Sequence, residues 1–265
     1  MELRRVELAH GARVAFGPSD LTIPRAATTA VIGPNGSGKS TVLDAVAGLL
    51  RPLRGEVLVF GDLPVRQRRR VAYVSQTSTV AERLPITVRE VVTMGRYALR
   101  GVLGRLQAED HRRVDAALDR LGLGHLGRRR LDELSGGQRQ RVFVAQALVQ
   151  DADLILLDEP VTGLDVVSRH TILDVMAEEV ARGATVVLST HDIDEARAAD
   201  QVVLLAGVVV AAGPPAEVLR ADLLAEAFGA RVLRVGDEHL LLDDHAHGHG
   251  HEHPTGSAPR RRRSQ

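Results

Sequence analysis

The chain has 265 residues, a hydrophobic fraction of 44% and a formal net charge of zero. That content supports a packed core and excludes a disordered chain, and the neutral balance gives no global pull toward nucleic acid. There is no cysteine, which excludes disulfides and thiolate metal sites and fits a reducing compartment.

The start, MELRRVELAHGARV, lacks the apolar stretch of a signal peptide. No apolar window approaches the ~20 residues of a membrane-spanning helix. The expectation is a soluble chain that reaches a membrane only through a partner. Among 34 lysines and arginines, Lys39 is the only lysine.

In chain order, Thr28–Ile32 (TTAVI) reads as a short buried strand. It runs into the turn Gly33-Pro34-Asn35-Gly36-Ser37-Gly38-Lys39-Ser40-Thr41 and then a helix over Lys39–Leu50. The turn fits G-x-x-x-x-G-K-[ST] in the context that confirms it, between a strand and a helix. Glycines without Cβ let backbone N–H groups converge on phosphate oxygens, and the helix N-terminus adds unpaired donors. Lys39 supplies a point charge for the β and γ phosphates, and the Ser40 hydroxyl suits Mg²⁺. A dinucleotide fingerprint is the nearest rival, but the spacing here is G-x-x-G-x-G and the lysine would have no use there.

Glu56–Phe60 and Val71–Ser75 read as further strands. From about 77 to 134, helical periodicity takes over (Val88, Val91, Val92; Val114, Leu118, Leu121), which predicts a helical insertion. Leu154–Leu157 is a continuous apolar run, as in a central parallel strand covered on both faces. It ends on Asp158 and Glu159, at the strand end where ligands bind in open α/β sheets. Asp158 suits Mg²⁺ and Glu159 suits a general base for water. Val166–Ala181 reads as an amphipathic helix and Thr185–Ser189 as another buried strand. The alternation implies a parallel sheet with crossover helices.

Past about residue 235 the pattern is lost, and residues 236–265 read as a polar, low-complexity tail without a fold. His245, His247, His249, His251 and His253 alternate there. Such a tract can bind Zn²⁺, Ni²⁺ or Cu²⁺, or be a solvated tail that meets metal adventitiously. Arg260–Arg263 reads either as a contact for acidic lipid or as a solvated charge run.

Further segments complete a set: Val74-Ser75-Gln76, Leu134-Ser135-Gly136-Gly137-Gln138, Gly163-Leu164-Asp165 and Ser189-Thr190-His191-Asp192. With the phosphate turn and the acidic pair, in this order over roughly residues 2–230, the chain resembles the nucleotide-binding subunits of ATP-binding-cassette (ABC) transporters. The resemblance implies an α/β P-loop NTPase with a parallel-sheet core, an N-terminal antiparallel β subdomain and the helical insertion, all within residues 1–235. It implies ATP and Mg²⁺ as ligands, with Ser40, Gln76 and Asp158 around the metal. It gives Glu159, His191 and Gln76 the catalytic roles. Ser135, Gly136, Gly137 and Gln138 would contact the γ-phosphate held by a second copy, and Asp165 would link the two sites of a homodimer.

The family's adenine-stacking aromatic falls on His10, with Phe16 as a nearby rival. Leu84–Val92 and Met94–Tyr97 look like importer ATPases, in which this stretch meets the permease. Thr162–Asp165 and HDIDEARAAD most resemble the zinc/manganese importers; siderophore- or cobalamin-type importers and non-transport cassette ATPases are the alternatives. DNA-repair cassettes carry long coiled coils where this chain has a compact insertion, and translation cassettes carry two copies per chain. The resemblance thus implies an integral-membrane permease, an extracytoplasmic solute-binding protein at one remove, no nucleic acid, and a place on the cytoplasmic face of the plasma membrane.

Overall fold

The computed structural model describes residues 1–11, 13–75, 85–101 and 104–229, and the backbone of the strands at 232–235 and 239–242. Gln76 and the histidines from 245 to 253 lie outside the described residues.

Glu2–His10 (β1) and Arg13–Thr22 (β2) pair antiparallel, followed by Thr28–Ile32 (β3) and the helix Lys39–Ala47 (α1). The helix ends three residues before the predicted Leu50. Gly48 takes a left-handed φ of 75° there and its N–H closes on Ala45 O, a glycine C-cap. Arg54–Leu58 (β4) pairs with the other edge of β1, which completes a three-stranded sheet in the order β2-β1-β4. Val71–Val74 (β5) leads to the helices Val88–Arg100 (α2) and Ala108–Arg120 (α3) of the predicted insertion. Then come Gly136–Leu148 (α4), Leu154–Asp158 (β6), Val166–Ala181 (α5), Thr185–Ser189 (β7), Ile193–Arg197 (α6), Gln201–Leu205 (β8) and Val209–Gly213 (β9). Two short helices, Pro215–Val218 (α7) and Ala221–Phe228 (α8), precede the hairpin of Val232–Val235 (β10) and His239–Leu242 (β11). Regular structure therefore continues past the break expected near residue 235, because HLLL forms a strand against β10.

The main sheet has six strands in the order β5-β6-β7-β3-β8-β9, parallel except for the last pair. Its strands are apolar on both faces, and the alternation sorts them into two cores. Ala30, Ile32, Ile155, Leu157, Val186, Leu188, Val202 and Leu204 face one core, shared with the helical insertion. Val31, Leu154, Leu156, Val187, Val203 and Leu205 face the other, shared with α1 and the antiparallel sheet. Every parallel strand thus delivers its C-terminal residues to one edge, where β3 opens into the phosphate turn and β6 into the acidic pair.

The insertion is tied down by charge as well as apolar packing. A Cβ at Gly95 would sit 2.2 Å from Gln146 O, so α2 lies backbone to backbone on α4. Beside it, Arg96 (4% exposed) meets the fully buried Asp110 at 2.8 Å and Asp151 at 2.9 Å, and bonds Val149 O. The Gln107 amide, and then the Arg100 and Arg96 guanidiniums, hold the Asp110 carboxyl well below its usual range against the effect of burial. A depressed folded pKa gives stability that is full above the unfolded value and is lost as pH falls through the folded one. Thermal melts from neutral to acid pH should therefore show the parent losing stability below about pH 4. Asp110→Asn should start lower at neutral pH and fall less steeply.

Candidate functional site

The C-terminal edge of the main sheet opens on a cleft of about 1020 Å³. Its lining joins His10 at the end of β1 to the phosphate turn, Glu159 after β6 and His191 after β7. The turn is shaped by its glycines at two points in particular. Gly33 has φ 154°, and a Cβ there would sit 2.2 Å from Leu205 O. Gly38 has φ 100°, and a Cβ there would sit 3.1 Å from Ala15 O and 3.3 Å from the Phe16 ring. The Lys39 Nζ lies 2.8 Å from Gly33 O and 3.4 Å from Pro34 O, held beside the loop it is expected to serve. Its side chain is buried, whereas Asn35 and Gly36 are exposed at the cleft mouth. Ser37 Oγ is buried and has no hydrogen-bond partner among the described residues. Glycines with no room for a Cβ, an ammonium beside the loop and an orphan hydroxyl fit a polyphosphate.

The acidic end is built on one serine. Ser189, fully buried, stands opposite Asp158 in the β6–β7 register. Its hydroxyl donates to Asp158 Oδ1 at 2.6 Å and accepts from the Glu159 N–H at 2.9 Å. Sequence reasoning gave Ser189 no role; the only signal was a polar residue closing an apolar strand. Glu159 has φ 49°, a left-handed conformation that costs a non-glycine residue about 1–3 kcal/mol. Glu159 lines the cleft, while Asp158 stays buried.

Burial raises the pKa of Asp44 on α1; Tyr73 offsets part of this and the charge of Asp158 adds to it. A divalent cation would relieve that crowding of carboxylates. Among the described residues no three His, Cys, Asp or Glu side chains form a metal group. The Ser40 hydroxyl and the Asp158 carboxylate are hard oxygen donors, the chemistry that suits Mg²⁺.

At the base end, His10 is exposed and its Nε2 lies 3.2 Å from Thr41 Oγ1. Phe16 is fully buried in the core under the loop. Both rings line the cleft, the imidazole exposed and the phenyl buried beneath.

The glycine-serine turn is elsewhere. None of Ser135, Gly136, Gly137, Gln138 or Asp165 lines the cleft. Ser135 is the N-cap of α4, in a capping box with Gln138: the Gln138 N–H donates to Ser135 Oγ at 3.2 Å and the Ser135 N–H to Gln138 Oε1 at 3.0 Å. Asp165 caps α5, accepting from Ser168 N at 2.9 Å and Ser168 Oγ at 2.7 Å. Those bonds hold its carboxyl below the usual range.

The two signature glycines differ. A Cβ at Gly136 would meet nothing within 4 Å, whereas one at Gly137 would lie 2.7 Å from Ser168 Oγ and 2.8 Å from Asp165 Oδ2. Gly137→Ala should therefore displace the α5 cap and cost about 1–3 kcal/mol in a thermal melt. Gly136→Ala should leave the isolated chain as stable or up to about 1 kcal/mol more stable, while lowering ATP turnover if that open face is covered by a second copy.

Residues 16–162 match the family described as ABC transporter. The chain is 41% identical over 226 residues to the zinc transport system ATP-binding protein TroB of Treponema pallidum, covering 85% of each. It is 34% identical over 241 residues to the manganese transport system ATP-binding protein MntB of Bacillus subtilis, covering 91% of this chain and 96% of that one. Among solved structures, an ATP-binding subunit of an ABC transporter superposes with a TM-score of 0.73 at 30% identity, over 84% of this chain and 93% of the other.

Proposed function

The chain belongs to the ABC transporter family as an ATP-hydrolysing subunit, and from that premise we propose that it powers uptake of manganese or zinc through a separate membrane permease. Two copies close head to tail around two ATP molecules. One observation carries this reading: the cleft holds the phosphate turn, Glu159 and His191, while the exposed Ser135–Gly136 tip stands apart from it on the same chain. A helix N-terminus with an open glycine is an anion site, and a second copy supplies the anion.

Within each cleft, the loop amides and Lys39 hold the β and γ phosphates, and His10 stacks on the adenine. Ser40, Asp158 and Gln76 hold Mg²⁺, which when bound offsets phosphate charge. Glu159 takes the proton of the attacking water, and His191 orients that water against the γ-phosphate. Asp165 lies between the two sites.

The permease meets the α2 region. Gly95 and Arg96 are buried there, which leaves Met94 (46% exposed) and Tyr97 (37% exposed) to face a partner. No described helix is long and apolar enough to cross a membrane. In this reading the permease holds the chain at the cytoplasmic face, with a solute-binding protein beyond it.

The metal cargo is supported by the relatives named for zinc and manganese transport. Cells carrying Glu159→Gln as their only copy should lose uptake of radioactive manganese or zinc and keep uptake of chelated iron. The reverse pattern would select a siderophore-type importer.

The histidines from 245 to 253 are a zinc-buffering tract under this reading. A cut after Leu242 spares β11 and should leave basal ATPase activity within about twofold, since the deleted residues lie outside the motif set. Calorimetry of the full and shortened chains with Zn²⁺ reads the tract directly, as a loss of bound metal in the shortened one.

A further inference from the structure

Arg169 lies between the Asp165 cap and the turn that carries His191. It lies at the start of α5, where its backbone N–H donates to Asp165 O at 3.0 Å. Its guanidinium reaches the turn that carries His191. The Nη2 donates to Asp192 Oδ2 at 2.5 Å and lies 3.0 Å from Glu195 Oε1. Glu195, with only 4% of its side chain exposed, accepts from Thr190 Oγ1 at 2.6 Å. The Asp192 N–H in turn donates to Thr190 Oγ1 at 3.0 Å. Both neighbours of His191 are thus fixed, Asp192 by Arg169 directly and Thr190 through Glu195.

Burial works against the Asp192 charge, yet the Arg169 guanidinium and the amides of Asp194 and Glu195 hold its carboxyl below the usual range. On its other side α5 begins at the Asp165–Ser168 cap, on which Gly137 of the signature turn is packed. Contacts therefore run from the α4 tip through the α5 cap and Arg169 to Asp192 and Thr190, the residues on either side of the histidine in the cleft.

We propose that Arg169 is a positioning residue, which sets the His191 turn from the helix headed by Asp165 and so ties the histidine of one cleft to the signature tip of the same chain. The inference rests on the role given above to His191. Arg169 is not among the residues that line the cleft; it acts by holding imidazole geometry, and a misplacement of about 1 Å costs up to about 100-fold in rate.

The test is steady-state ATP hydrolysis by the full chain with Arg169→Met, Arg169→Lys, Asp192→Asn, His191→Ala and the double variants. Arg169→Met should lower kcat about 10- to 100-fold with KM for ATP within about twofold. Arg169→Lys should recover part of the loss, since one ammonium meets one carboxylate where the guanidinium met two. Adding Arg169→Met to His191→Ala should cost nothing further, because the histidine it positions is gone.

If His191→Ala hydrolyses at the parental rate, the assigned role of His191 falls and this inference with it. If His191→Ala is crippled but Arg169→Met keeps the parental kcat, the inference alone is overturned. It is equally overturned if Arg169→Met lowers melting temperature, kcat and KM together and adds fully to His191→Ala. Should Arg169→Met fail to fold, Asp192→Asn removes the same charge pair while keeping the α6 cap, and its kcat and KM are read in the same way.

Discussion

Glu159→Gln should bind Mg-ATP as the parent does and turn it over about 10²- to 10⁴-fold more slowly. The amide is isosteric with the carboxylate and keeps the backbone that the site is built on: the left-handed φ of 49° and the N–H bonded to Ser189 Oγ. What it loses is the ability to take a proton from water. The nucleotide-bound state should therefore accumulate, and with it the closed pair of chains. Stopped-flow nucleotide binding and single-turnover hydrolysis separate the two effects. A variant that hydrolyses at the parental rate would remove Glu159 from the mechanism and leave Asp158 or a water chain to be considered.

Lys39→Ala should lower kcat/KM about 10²- to 10³-fold, because the ammonium stabilises charge developing on the transferred group. Lys39→Arg should do little better. The lysine is buried, with its Nζ 2.8 Å from Gly33 O, and a planar guanidinium fork does not reproduce a compact ammonium point charge at that place. In a chain where Lys39 is the only lysine among 34 lysines and arginines, this is the position at which arginine would be expected to fail. Recovery of parental turnover by Lys39→Arg would show that charge alone suffices.

Much of the fold could be read from residue order because the central strands are short, apolar runs. Leu154–Asp158 and Thr185–Ser189 are buried at every position, so burial on both faces left an unbroken hydrophobic signal. Val166–Ala181 starts behind an Asp cap and ends where it was expected to. Element ends were less legible. The stop of α1 at Ala47 depends on the left-handed turn at Gly48, while the following Leu49-Leu50 still reads as helix. Strand β11 was hidden because HLLL is flanked by acids and histidines that belong to the tail.

The site was legible where a motif carries its own geometry, as in the phosphate turn, and not where the geometry arises between elements. Ser189 and Arg169 are ordinary residues in sequence. Each matters through a neighbour distant along the chain, Asp158 for one and Asp192 for the other. His10 and Phe16 likewise differ only in the fold, which leaves the first exposed and buries the second in the core. The two signature glycines look equivalent as letters, and only the packing of α4 on the α5 cap tells them apart.

Mixing two inactive variants tests the shared-site claim most directly. Lys39→Ala spoils a cleft and leaves the signature tip intact; Ser135→Arg spoils the tip and leaves the cleft intact. In a head-to-tail pair each mixed dimer contains one whole composite site, so an equimolar mixture should regain up to about a quarter of parental ATPase activity while neither variant alone is active. A Ser135→Arg chain that hydrolyses ATP by itself at the parental rate would contradict the account, as would a mixture no more active than its parts.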